Sequence, residues 1–176
     1  MRSFKLLRWC AVPTWTPIAV VLLVTACGAA FDGRTYHGKG FSFSVPPPPT
    51  SWEMLRVGDS ALTFDDRSTG AMIAVNGRCD KDGEDVPLRS LTKHLFLQFK
   101  PVDVLTEEVQ PFDGREAMRS DVAAKLDGVE RRIVVWVMKK DKCVYDVWYI
   151  ARPDKFASGV GEFDAWAKGF SARRDP

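Results

Sequence analysis

Apolar and polar positions alternate strictly across residues 40–45, with Phe41, Phe43 and Val45 on one side and Ser42 and Ser44 on the other. A period of two predicts a half-buried strand. Pro46 to Pro49 end it, because proline has no N–H for the ladder, and the run reads as a stiff turn. Residues 52–57 and 61–64 read as two short strands around Gly58-Asp59, and residues 71–75 as a central strand, apolar on both faces. Asn76-Gly77 then reads as a bulge or turn. From Pro87 the period changes. Leu88, Leu91, Leu95 and Phe99 form one helical stripe, which Pro101 closes.

The second half reads as a meander. A strand over residues 102–109 is followed by Asp113-Gly114, a hairpin signal. Met118, Ser120, Val122 and Ala124 alternate with Arg119, Asp121 and Ala123, and Asp127-Gly128 repeats the hairpin signal. Residues 132–138 and 143–150 are apolar on both faces, joined by a turn over residues 139–142. Two adjacent strands without a polar face imply cover on both sides of the sheet. Pro153-Asp154 opens a last helix whose stripe is Phe156, Val160, Phe163, Ala167 and Phe170. Gly159, Gly161 and Gly169 weaken it intrinsically, so packing must hold it. Residues 173–176 read as a polar tail.

The N-terminus has a different pattern. Arg2, Lys5 and Arg8 precede an apolar run over residues 11–24, and small residues follow. This is the layout of a secretory signal peptide. Pro13 and Pro17 interrupt the run, which falls short of the ~20 residues that span a bilayer core. Val24-Thr25-Ala26-Cys27-Gly28 resembles the lipobox of a bacterial lipoprotein. That resemblance implies cleavage before Cys27 and fatty acylation of its thiol, hence a membrane anchor in the cell envelope. An ordinary signal peptide cut elsewhere and an uncleaved anchor helix are the alternatives. Gly28, rather than Asp, leans towards the outer membrane if the source has two membranes. The expected organisation is a signal peptide over residues 1–26, a short tether over 27–35, a single domain over 36–172 and the tail over 173–176.

Charge and cysteines change with that cut. Of the 25 basic residues three leave with the leader, so 22 remain against 23 acidic, a net charge of −1. No basic stripe remains to suggest a nucleic-acid partner. Cys10 is discarded with the leader. Cys79 and Cys143 are left besides Cys27, and an exported chain favours a disulfide between them over two independent thiols.

Candidate chemistry is sparse. Residues 80–85 (Asp-Lys-Asp-Gly-Glu-Asp) invite a calcium reading, but no register places Gly sixth and Glu twelfth; a solvated acidic loop is the better reading, and no metal ligand is assigned. His37 and His94 are the mature chain's two histidines. They are far apart in sequence, and His94 reads as a rim residue beside the helical stripe. No GxSxG, HExxH, P-loop or GxGxxG occurs. The sequence assigns no catalytic residue and no cofactor, and an enzyme is not expected.

The order of elements resembles the PsbP-like fold family. The residues that carry the likeness are the Gly40-Phe41-Ser42-Phe43 strand ending in Pro and Trp52, the glycine-punctuated meander with Val144-Tyr145-Asp146-Val147, and the Phe-rich terminal helix. It covers residues 36–170. The resemblance implies an α+β fold, an antiparallel sheet with helices on both faces. It brings no catalytic motif, and family members mostly bind or chaperone other proteins. The expected function is that of a lipid-anchored envelope protein acting by binding, as an assembly or maintenance factor or a subunit of an envelope complex. A carrier of a small apolar ligand, held between sheet and helix, is the alternative.

Overall fold

The structure is a computed structural model that describes residues 30–58, 60–79 and 86–174. In chain order the elements are β1 (Ala30–Phe31), β2 (Thr35–His37), β3 (Phe41–Ser44), β4 (Trp52–Leu55), β5 (Leu62–Asp66), β6 (Ala71–Cys79), α1 (Leu88–Leu95), β7 (Val102–Phe112), β8 (Arg115–Leu126), β9 (Val129–Lys140), β10 (Cys143–Ala151), α2 (Pro153–Ala167) and β11 (Ser171–Arg174). Seven strands form one antiparallel sheet in the order β4-β5-β6-β10-β9-β8-β7, and four form a smaller sheet in the order β1-β2-β3-β11.

The meander is built from three two-residue hairpins. Their central pairs are Asp113-Gly114, Asp127-Gly128 and Asp141-Lys142, and all six residues have positive φ. That geometry matches the right-handed twist of the flanking strands. The first two pairs carry the expected Gly, and the third does without it. Lys139 and Lys140, read as turn residues, continue β9 instead, with Lys140 opposite Cys143.

Side chains alternate across β9 and β10, so each strand feeds two cores. On one face Val134, Trp136, Met138, Tyr145, Val147 and Tyr149 join Phe156 and Phe163 of α2 and Phe41 and Phe43 of the small sheet. On the other, Ile133, Val135, Val137, Val144 and Trp148 join Leu91 of α1 and Phe96. The molecule is therefore α+β with helical cover on both faces of an antiparallel sheet, as the two-sided strands require. The small sheet shares one face with α2.

Four local readings differ. Asn76-Gly77 is neither bulge nor turn: β6 pairs with β10 without a break from Met72 to Cys79. Gly77 is needed there because a Cβ would stand 2.5 Å from the Phe41 ring. Helix α1 ends at Leu95, where tighter bonds from Phe96 N–H to Lys93 O and from Leu97 N–H to His94 O replace the α pattern. Phe96, outside the expected stripe, is more buried than Phe99, and both rings pack on Trp148. The polar tail begins later than its composition suggests, since Arg173 and Arg174 pair with Ser42 and Phe41 in β11. Finally, Ala30 and Phe31, placed in the tether, pair with His37 and Tyr36.

Candidate functional site

Of the residues singled out in the sequence, Cys27 and residues 80–85 lie outside the described residues. Cys79 and Cys143 face each other across β6 and β10 and are joined by a disulfide, with Cα atoms 4.0 Å apart. His37 lies exposed on β2 and His94 exposed on α1. Among the described residues no group of three or more His, Cys, Asp or Glu is placed to hold a metal ion.

Three carboxylates to which the sequence assigned no chemistry are structural. Asp146, 2% exposed on β10, accepts hydrogen bonds from Asn76 Nδ2 at 2.7 Å, Arg78 at 3.1 Å and Trp148 Nε1 at 2.6 Å. Asp164 of α2 accepts a bidentate pair from Arg119 at 3.1 and 2.7 Å, and the Trp136 Nε1 proton at 3.0 Å. Asp113, in the first hairpin, accepts from Lys140 Nζ and from the Ala172 N–H, each at 2.8 Å, and so ties the meander to β11. Bonded to protein donors, these groups join elements.

The outer surface offers two apolar features. The first is the free edge of the large sheet. β7 is eleven residues long, pairs on one side only among the described residues, and exposes Val102, Val104, Leu105 and Val109. Helix α1 packs mainly over β8 and β9 and touches this strand through the Arg89–Glu107 ion pair at 3.0 Å. A cleft of about 200 Å³ remains between them, lined by Thr92, Phe96, Val102, Val104, Glu107 and Ser120. The Ser120 hydroxyl is fully buried there without a hydrogen-bond partner. Leu105 has no partner on β8, a bulge that re-aims the edge. The sequence marks residues 102–109 as a strand but carries no signal that the strand is last in its sheet, so this surface could not be read from it.

The second feature is a groove of about 400 Å³ beside the β4–β5 hairpin, lined among others by Phe31, Tyr36, Met54, Leu55, Arg56 and Val57. β4 is the other edge of the large sheet. Trp52 at its start is buried against Phe64 and Trp166, whereas the chain beyond it is exposed.

No protein-family model matches the chain. No curated protein matches it in sequence. Its architecture is similar to that of solved structures. With cyanobacterial PsbP (CyanoP) from Synechocystis sp. PCC 6803 the TM-score is 0.54 at 14% identity, over 85% of this chain and 99% of that one. With LpqN, involved in cell envelope biogenesis of Mycobacterium tuberculosis, it is 0.54 at 10% identity, over 75% and 83%. A protein of Bacteroides thetaiotaomicron VPI-5482 gives 0.54 at 12% identity over 82% of this chain, which spans 50% of that one. At these identities the likeness establishes a PsbP-like fold.

Proposed function

We propose that this is a lipid-anchored protein of the cell envelope that acts by binding another protein, as an assembly or maintenance factor or a subunit of an envelope complex. The observation that carries the reading is the lipobox-like Val24-Thr25-Ala26-Cys27-Gly28 close ahead of the folded domain: the first strand among the described residues starts at Ala30, three residues after Cys27. The Cys79–Cys143 disulfide fits an oxidising compartment. Among the described residues no helix is long and apolar enough to cross a membrane. Attachment through acylated Cys27 is the proposed anchor, and the lipobox-like stretch supports it. If the source has two membranes, Gly28 favours the periplasmic face of the outer one.

Binding is assigned to the β7 edge. An unpaired strand of this length can receive an extended segment of a partner, with main-chain bonds giving affinity and the alternate apolar positions giving specificity. The bulge at Leu105, Pro111 and the exposed charges of Asp103 and Glu108 guard the same edge against indiscriminate pairing. The adjoining cleft, at about 200 Å³, is below the ~300 Å³ at which pockets usually begin to hold a drug-sized ligand. This disfavours a carrier site between α1 and the sheet.

Two measurements test the reading. Cys27→Ser should abolish fatty-acid labelling and move the protein from the membrane fraction to the soluble one; labelling that persists in the variant refutes the anchor. A photo-crosslinking residue at Val104 or Val109 should give one discrete adduct in native membranes, and the same residue at Ser158, exposed on α2, should give none. Identical adduct patterns at all three positions would refute the edge as the binding surface.

A further inference from the structure

We infer that the β4–β5 hairpin is a second membrane contact, which lays the domain against the lipid surface that holds Cys27. The inference rests on the anchor proposed above. Met54, Leu55 and Val57 are 54%, 44% and 42% exposed, a cluster of large apolar side chains at the free end of an edge strand. Leu55 and Met54 sit on opposite faces of β4, so no single packing partner within the domain could cover both. The chain stays exposed beyond Leu55, and a hydrogen bond from Ser60 N–H to Val57 O holds the end of the hairpin. Arg56 lies between the apolar residues, and among the described lining residues of the groove it is the one with a charged side chain. An apolar tip with a long cationic side chain suits the boundary between acyl chains and headgroups, where the Arg stem lies along apolar surface and its guanidinium reaches the phosphates.

Chain connectivity decides the occupant. The N-terminal strand meets this hairpin directly. Phe31 of β1 lines the same groove and packs edge-on against Phe64 at 6.4 Å, and Phe64 stands opposite Met54 in the β4–β5 register. From Cys27 to Phe31 is four residues, which cannot reach beyond about 14 Å even fully extended. An acyl chain on Cys27 therefore keeps β1, and the groove that Phe31 lines, close to the membrane surface. A distant protein partner has no such constraint, and the β7 edge lies at the far side of the seven-stranded sheet. Bilayer on one edge and partner on the other use the two ends of the same sheet.

The test is made on the full lipidated protein, reconstituted in vesicles of phosphatidylcholine and phosphatidylglycerol. Nitroxide labels are placed one at a time at Met54→Cys, Val57→Cys, Val109→Cys and Ser158→Cys, all exposed positions. Collision with dissolved oxygen and with a water-soluble nickel chelate is read by EPR power saturation, and mass spectrometry of the N-terminal peptide reads acylation of Cys27. The labels at 54 and 57 should meet oxygen in preference to nickel, with nickel accessibility several-fold below that at 109 and 158. Nickel accessibility at 54 and 57 equal to that at 158, on acylated protein, overturns the contact and leaves the anchor standing. An unacylated Cys27 overturns the anchor, and the contact with it.

Discussion

Single buried carboxylates carry much of the specificity of this core. Asp146 holds three donors, from Asn76 and Arg78 on β6 and Trp148 on its own strand. Removing it would take this acceptor from Asn76 and from the buried Trp148 Nε1, so Asp146→Ala should cost about 3 kcal/mol in urea unfolding, and Asp146→Asn, which keeps the shape, less. Asp66 is a different case. Burial pushes its carboxyl up, but hydrogen bonds from Thr69, Ser68 and Ser51 together outweigh that and leave it below the ordinary aspartate value. An acid depressed on folding contributes stability that is complete above its unfolded pKa, about 4, and is lost as pH falls through its lower folded value. Thr69→Ala removes the 2.6 Å bond to Asp66 Oδ2. Its cost should be about 1 kcal/mol at pH 7 and should shrink once Asp66 is protonated in acid. A cost that is the same at pH 7 and at the acid limit would show that the bond does not favour the ionised form.

Helix α2 shows how packing overrules propensity. Two glycines, Gly159 and Gly161, stand in its middle, where each costs about 1 kcal/mol relative to alanine. Their surroundings differ. A Cβ at 159 would lie 2.3 Å from the Tyr149 hydroxyl, whereas at 161 it would meet nothing within 4 Å. Gly159→Ala should therefore destabilise by about 1–3 kcal/mol through overpacking, and Gly161→Ala should stabilise by about 0.5–1 kcal/mol. Thermal melts of the two variants check the opposite signs. The helix is also clamped at its C-terminal end: Trp166 Nε1 donates to Pro46 O at 3.0 Å, and a Cβ at Gly169 would stand 2.3 Å from the Pro46 ring. The proline run is thus a stiff strap across the end of α2, with the Trp166 bond as its fastening.

At the scale of the molecule, two cores share one sheet, and the disulfide lies at the end of the β6–β10 pair in its centre. It closes 64 residues of chain, a stretch that includes α1 and the first three strands of the meander. The chain-entropy model gives a loop of that length an upper figure of roughly 4 kcal/mol. The double variant Cys79→Ser/Cys143→Ser should lower stability by up to that amount while keeping the fold, because Cys143 is one of many residues in one core and the other core contains neither cysteine. Urea unfolding, together with a far-UV spectrum like that of the unaltered protein, would confirm both parts.

Periodicity and turn chemistry by themselves determined the central strands, the presence of both helices, the first two hairpins and the need for cover on both sheet faces; both helices end earlier, at Leu95 and Ala167, than stripes running to Phe99 and Phe170 imply. These depend on neighbours a few residues apart, which a sequence displays directly. The chain's Val24–Gly28 stretch also carries the whole case for the anchor, a matter of processing that no fold reveals. Tertiary structure alone decided the rest. Gly77 is unbroken strand because Phe41, distant in sequence, occupies the space a side chain would need. Ser171–Arg174 is a strand because β3 offers it a free edge, although its own residues show no apolar alternation beyond Ala172. Asp146 is a buried hub because β6 and β10 are adjacent. Val104 and Leu55 are exposed because β7 and β4 are outermost, and strand order is fixed by pairings between residues far apart in the chain, for which local pattern carries no signal.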